Sequence, residues 1–410
     1  MKIKQFVKTP IFLLIYLSDH VSKLVRRDYS KWVFGCHWNR FDGNSKFLFF
    51  ETNEAHPEIR AIWISHNRQD VERVRGLGFR CYYWLSIQGL WHCLTAGVYV
   101  CTSSIDDVNG FLSGNAKMLD LHHGIGIKLT HTNWGNTRFW EKKFGKPMPL
   151  LERSFLFKLH AYMFLYRKRD ICLATSIPHA KEFWCQMYRI SLNDCIFGNF
   201  PRNEILLKDK SLIMEMAKRY EPSETRDFIN KIQQYKKVYI YMPTWRNDGN
   251  DFIKSAQIDF ERLNAVLSTS DSLLIMKLHP ATKINHSSME RFSNIQVFDN
   301  HIDVYYVLPF TDCLITDYSS IYTDYLIMNK EIILFTFDKD EYIRKSFDLK
   351  DYYTYYKGKV ADNFDELLNL IEKNIDCHVG KKDYNFLMSY FWGSINNPLD
   401  IVKEVKKRLN

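Results

Sequence analysis

From Trp32 onward, short runs of β-branched and aromatic residues alternate with stretches at helical spacing, and this alternation restricts the fold more than any other feature of the chain. Strand signals fall at 32–35, 59–65, 81–85, 98–102 and 116–121, with helix signals at 45–52, 71–77 and 88–96 between them. The strand pattern resumes at 171–174 and 195–197, then at 236–242, 273–278, 295–298, 313–315 and 331–337. Strands separated by helices form right-handed βαβ units, so the expectation is α/β, with parallel sheets covered on both faces. A chain of 410 residues exceeds one ordinary core and suggests two domains of roughly 200 residues each. The expected division is a basic amphipathic segment at 1–30, a first α/β domain at 31–200 with an aromatic and basic insertion at 131–170, a helical connection at 201–235, a second α/β domain at 236–380, and closing helices at 381–410.

Ligands of parallel sheets bind beyond the carboxyl ends of the strands, so the turns carry the functional information. In 312–324, DCLITDYSSIYTD, an apolar run breaks at Asp317, Ser319 and Ser320 and restarts with Ile321, Tyr325 and Met328 at helical spacing. Free N–H groups at a helix start, with two hydroxyls beside them, suit phosphate oxygens. In 120–128, DLHHGIGIK, Gly124 and Gly126 allow close backbone approach, while His123 and Lys128 bring a base and a cation. Leu129 stands where a dinucleotide fingerprint has its third glycine, which argues against a nicotinamide cofactor. His122 and His123 are adjacent, so in extended chain only one need face the site. Three strand ends of the second domain offer Thr244 with Arg246, Lys277 with His279, and Ser319 with Ser320, and in a parallel sheet they converge on a phosphate-rich ligand.

Nine cysteines without a C-x-x-C pair argue against a zinc site or disulfide framework and for a reducing, cytoplasmic compartment. The net charge of +9 suits phosphorylated substrates or acidic lipid as well as nucleic acid. At the amino terminus the apolar run 11–17 is too short for a bilayer span of about 20 residues. Lys2, Lys4, Lys8, Lys23, Arg26 and Arg27 flank a stripe of Leu14, Leu17, Val21, Leu24 and Val25, a helix suited to the membrane interface or to the protein's own surface. The segment 155–169, FLFKLHAYMFLYRKR, carries the same two readings.

The motifs LHHGIGIK, FGNFPRN, YMPTWR, KLHP and TDYSSIYTDYLIMNKEIILFTFDKDEY, in this order, resemble the CDP-glycerol glycerophosphotransferase family, which includes teichoic acid polymerases and primases and related capsule enzymes. The resemblance extends over nearly the whole chain from Trp32. It implies a GT-B-like fold of two Rossmann-type domains around a central cleft. It also implies a peripheral enzyme on the cytoplasmic face of the bacterial membrane, moving glycerol phosphate or another alditol phosphate from a CDP carrier to an acceptor hydroxyl with release of CMP. By resemblance His123 is the general base and His279 binds or protonates the pyrophosphate. Gly124, Lys128, Thr244, Arg246, Asp317, Ser319 and Ser320 then line the substrate, and Arg202 matches the family's Pro-Arg turn. The implied partners are the CDP-alditol donor, a lipid-linked or oligosaccharide acceptor and an anionic membrane surface, with no nucleic acid, cofactor or metal. The chain has His122 where the family usually has tryptophan, which leaves open which histidine is the base.

Two other classes fit parts of the pattern. A sugar-nucleotide glycosyltransferase of the same fold would use similar strand ends, and Asp338-Lys339-Asp340 imitates a D-x-D metal motif, though its place after a strand reads as the acidic start of a helix. A non-enzymatic membrane adaptor would keep the basic aromatic segments without needing His123, His279 and the paired serines.

Overall fold

The computed structural model describes residues 17–37, 40–126, 169–188, 190–244, 246, 255–278, 282, 289–345, 352–393 and 399–409. Lys128, His279, most of the aromatic insertion and the first 16 residues lie outside the described residues.

Among the described residues thirteen strands form two sheets, and every pairing is parallel. The first sheet holds β1 (Asp28–Phe34), β2 (Arg60–Ser65), β3 (Cys81–Tyr83), β4 (Ala96–Cys101), β5 (Lys117–Asp120), β6 (Ile171–Ala174) and β7 (Cys195–Phe197) in the order β3-β2-β1-β4-β5-β6-β7. The second holds β8 (Lys237–Tyr241), β9 (Ser272–Met276), β10 (Ile295–Val297), β11 (Cys313–Thr316), β12 (Glu331–Phe335) and β13 (Lys359–Ala361) in the order β10-β9-β8-β11-β12-β13. In both sheets the order reverses beside the first strand formed, β1 or β8, and such switch points open a crevice at the carboxyl edge. The inner stretches of the central strands are apolar because helices cover both faces: Trp32, Val33 and Phe34 of β1, and Val98, Tyr99 and Val100 of β4, are fully buried. This is the expected GT-B-like α/β arrangement. β13 and the helix Phe260–Thr269 were not foreseen; β13 has two exposed residues in three and so lacks an apolar signature.

The domains share one hydrophobic core. Phe47 of the helix Gly43–Ala55 stacks on Tyr306 of the second domain at 5.8 Å, and Phe50 stacks at 4.1 Å on Tyr220 of the connecting helix Lys210–Tyr220. At the same junction Lys46, 1% exposed, donates to Glu221 of the connection at 2.5 Å and to Asp303 of the second domain at 2.7 Å, while Arg73 donates to the other Glu221 oxygen at 2.8 Å. After β13 the chain returns to the first domain. Ser176 donates to the Tyr390 carbonyl of the helix Lys381–Phe391, and Arg408 of the helix Ile401–Leu409 donates to the carbonyls of Asn193 and Cys195.

Among the described residues no helix is long and apolar enough to cross a membrane. Leu17, Val21 and Leu24 are 50%, 61% and 86% exposed, so the described part of the amino-terminal stripe faces outward rather than onto the protein's own surface.

Candidate active site

The turn after β5 separates the two histidines. His122 adopts φ +55°, left-handed backbone that few residues other than glycine take up, and its ring turns into the first domain. It is 1% exposed and stacks on Trp184 at 3.9 Å and Tyr188 at 5.2 Å. Burial pushes its pKa down to about 4, despite Asp120 nearby. The Asp120 carboxylate is held by Arg169 at 2.5 Å and by the His122 N–H at 2.9 Å. His179, on the helical stretch beside it, donates Nε2–H to the Gly126 carbonyl at 2.8 Å and has its pKa pushed down to about 4 by burial.

These two buried imidazoles make the fold acid-sensitive. Their folded pKa values lie below the ordinary 6.5, so the stability they contribute is complete above pH 6.5 and lost as the pH falls toward about 4, where the unfolded chain binds more protons. Urea midpoints measured from pH 7 to 4 should fall across that window, and His122→Phe, which keeps the stacking, should flatten the fall.

His123 points the other way. Its side chain is exposed, yet the protein atoms packed around the ring, with the Arg202 charge, lower its pKa. Nδ1 lies 3.3 Å from the Thr102 carbonyl at the end of β4, and the ring stacks at 5.7 Å on His37 at the end of β1. If Nδ1 carries the proton and donates to that carbonyl, Nε2 is left as the basic nitrogen.

Arg202, from the turn after β7 of the first sheet, and Ser320, from the other side of the cleft, both meet this turn. A Cβ built on Gly124, whose φ is +148°, would stand 2.8 Å from Arg202 Nη2 and 3.5 Å from Ser320 Oγ, so glycine is required for the close approach. Arg202 is 8% exposed, bonds Asp324 at 2.6 Å and lies over the Tyr305 ring at 4.7 Å; Tyr305 donates to the same carboxylate at 2.5 Å. Thr323 donates to the Ile125 carbonyl at 3.3 Å, a second tie across the cleft. Ser320 caps the helix Ile321–Leu326 without a side-chain bond to it, and neither the Ser319 nor the Ser320 hydroxyl bonds a group among the described residues. The helix has only six residues, so the local N–H groups and hydroxyls matter more than a long dipole.

Two expected phosphate ligands have other partners. Asp317 is fully buried; it accepts from the N–H groups of Thr244 at 2.8 Å and Tyr318 at 2.5 Å and from Arg246 at 2.8 Å. Arg246 also bonds Asp338 through Nε at 2.7 Å and Nη2 at 3.0 Å, and the Thr244 carbonyl at 2.5 Å. Asp317 therefore fastens the ends of β8 and β11 to each other, and Arg246 neutralises two acids rather than presenting a free fork. Asp338 precedes the helix Lys339–Lys345, as its sequence suggested, and its carboxylate faces Arg246. The Thr244 hydroxyl, by contrast, is buried without a partner among the described residues. Lys277 bonds Asn300 at 2.7 Å.

Sequence reasoning missed Asn44, His37, Thr102, Tyr305 and Asp324. Each acts through contacts distant in sequence, and only Asn44, directly after the Asp42-Gly43 turn, had a local signal. Among the described residues the groups that could hold a metal are Asp120, His122 and Cys172 in the core and Glu331, Asp376 and His378 at the surface. Arg169 occupies the first carboxylate and Lys237 pairs with Glu331 at 2.7 Å, so neither group is an open cation site.

A family model described as CDP-glycerol:poly(glycerophosphate) glycerophosphotransferase matches residues 20–385. The chain is 29% identical over 223 residues to the teichoic acid ribitol-phosphate polymerase TarK of Staphylococcus aureus, covering 53% of this chain and 40% of that protein. It is 30% identical over 338 residues to a teichoic acid poly(glycerol phosphate) polymerase of Bacillus spizizenii, covering 81% of this chain and 78% of that one. It superposes on the solved wall teichoic acid polymerase TagF with a TM-score of 0.72 at 18% identity, covering 100% of both chains. The chain spans 40%, 38% and 31% of the length of three other-sized curated relatives, ribitol-phosphate polymerases all.

Proposed function

The chain belongs to the CDP-glycerol:poly(glycerophosphate) glycerophosphotransferase family, and on that premise we propose that it transfers glycerol phosphate, or a related alditol phosphate, from a CDP-alditol to an acceptor hydroxyl in the synthesis of a teichoic-acid-like or capsular polymer. The observation that carries the reading is the meeting of Gly124, Arg202 and Ser320 beside the open face of His123.

The acceptor oxygen attacks the phosphorus that bears the alditol, its proton passes to His123, and the bond from that phosphorus to the bridging oxygen breaks as CMP leaves. A hydroxyl is a poor nucleophile, so a neutral imidazole at physiological pH is what the step needs, and the atoms crowding the ring and the Arg202 charge favour that form. The hydroxyls of Ser319 and Ser320 are donors available to phosphate oxygens, and Arg202 supplies positive field against the growing charge. Arg246 and Asp317 support this by holding the turns in place. The roles of His279 and Lys128 rest on the family resemblance alone. The acceptor is a lipid-linked or oligosaccharide chain, and the outward Leu17, Val21 and Leu24 beside Lys23 and Arg26 would rest on an anionic membrane at its cytoplasmic face.

Incubation with CDP-glycerol, CDP-ribitol and UDP-sugars, each with candidate acceptors, tests the reading: CMP should be released from a CDP-alditol. UDP release would favour the glycosyltransferase, and no nucleotide release would leave the adaptor. Ser319→Ala combined with Ser320→Ala should raise the donor KM roughly tenfold or more, since a hydrogen bond to a charged group is worth about 1.5–3 kcal/mol. An unchanged KM would remove those hydroxyls from the donor site.

A further inference from the structure

We propose that Asn44 is a positioning residue that sets the His123 turn against the Arg202 turn, an inference that rests on reading the cleft as the transferase site. Asn44 begins the helix Gly43–Ala55 and is fully buried. Its Nδ2 donates to the carbonyls of Leu121 at 3.2 Å and His122 at 2.7 Å, and its Oδ1 accepts the Arg202 N–H at 3.2 Å. A primary amide offers two N–H donors and an acceptor oxygen, and here all are matched to backbone groups of two separate turns. The His122 carbonyl belongs to the peptide unit that leads directly into His123. Gripping it fixes the plane from which the His123 side chain leaves the backbone, immediately after a residue held at φ +55°. The Arg202 N–H belongs to the residue whose guanidinium reaches Asp324 and crowds Gly124.

One side chain therefore sets the separation between the base and the cation that tunes it. Aspartate has the same shape but cannot donate, so it would place carboxylate oxygen against two carbonyl oxygens. The turn must then shift, carrying His123 with it. Crowding of the ring holds its pKa down most and Arg202 next, while the Thr102 carbonyl, Asp120 and Asp324 act the other way and His37 stacks on the ring. A turn that leaves this packing and Arg202 therefore carries a raised His123 pKa. A rise in Asn44→Ser, which adds no charge, reports the movement free of the new carboxylate of Asn44→Asp.

The test is Asn44→Asp in the full chain, with Asn44→Ser, which retains a donor, as a second variant. Readouts are the melting transition, kcat and donor KM for CMP release, and an NMR titration of the His123 ring, assigned by comparison with His123→Gln. The expected result is a cooperative fold, a His123 pKa raised by about half a unit or more, kcat down roughly 10- to 100-fold and donor KM within twofold, with Asn44→Ser intermediate. A folded variant with an unmoved His123 titration and kcat within twofold of the parent overturns the proposal. The titration needs no substrate. If the parent protein releases no CMP, the proposed function fails, while the titration still decides the role of Asn44.

Discussion

His123→Ala lowers kcat by roughly two to four orders of magnitude while donor KM changes little, because a positioned general base typically contributes 10²–10⁴ to the rate and takes no part in holding the donor. The turn after β5 sends consecutive rings in opposite directions. His122 lies under Trp184 and Tyr188, whereas His123 opens to the cleft with Nδ1 at the Thr102 carbonyl. His122→Ala should therefore spare kcat in the protein that remains folded, its cost falling on stability. The depressed His123 pKa adds a second expectation: kcat/KM should stay high as the pH drops through 6.5 and decline only below it, since the base must be unprotonated. Near-full turnover by a folded His123→Ala enzyme would remove His123 from the chemistry, and loss confined to His122→Ala would move the base back by one residue.

Lys46→Met should cost about 3–5 kcal/mol of stability, the range seen when one partner of a buried ion pair is removed. Lys46 holds Glu221 and Asp303 together with side-chain exposures of 1%, 0% and 6%. Methionine nearly matches the lysine stem in length, so the volume stays filled while the ammonium, which lies 5.4 Å from the Phe47 and Tyr306 ring centres, goes. Arg73 still answers Glu221, but Asp303 is left charged in a dry interface. The Lys46 charge is secure in the parent protein, because the two carboxylates raise its pKa above the ordinary lysine value in spite of burial. Urea unfolding of Lys46→Met against Lys46→Met with Asp303→Leu measures the effect. The double variant should recover part of the loss, and equal stability of the single variant and the parent would show that the cluster contributes nothing net.

Nearly all of the strands were legible because a strand buried on both faces is apolar along most of its length, and such runs stand out between polar turns. β13 escaped, since an edge strand with exposed Lys359 and Val360 has no such run. Gly124, Ser319 and Ser320 could be picked out because a glycine at a strand end and capping hydroxyls are local signals. Arg246 and Asp317 were misjudged for the converse reason: a free arginine and a paired one look alike in sequence, and Asp338 lies 92 residues away from the arginine it neutralises. Arg202 was underrated on the same grounds, as the groups that fix it, Asp324, Tyr305 and Asn44, come from three distant stretches. The direction of each histidine ring depended on a left-handed residue that is not glycine, which no spacing rule anticipates.

The return of the chain from β13 to the first domain limits how the cleft can open. The domains are joined through the connection after β7 and again through the segment that carries the helices Lys381–Phe391 and Ile401–Leu409. A body tethered at one point can swing in any direction, but one tethered at two turns most readily about the line joining them. Twist and slide are suppressed, and a small angular change at that line becomes a larger displacement at the far lip. Gly198, whose added Cβ would lie 2.6 Å from Leu399, sits where both tethers touch, so bulk introduced there would act on the pivot of the motion rather than on either wall of the cleft.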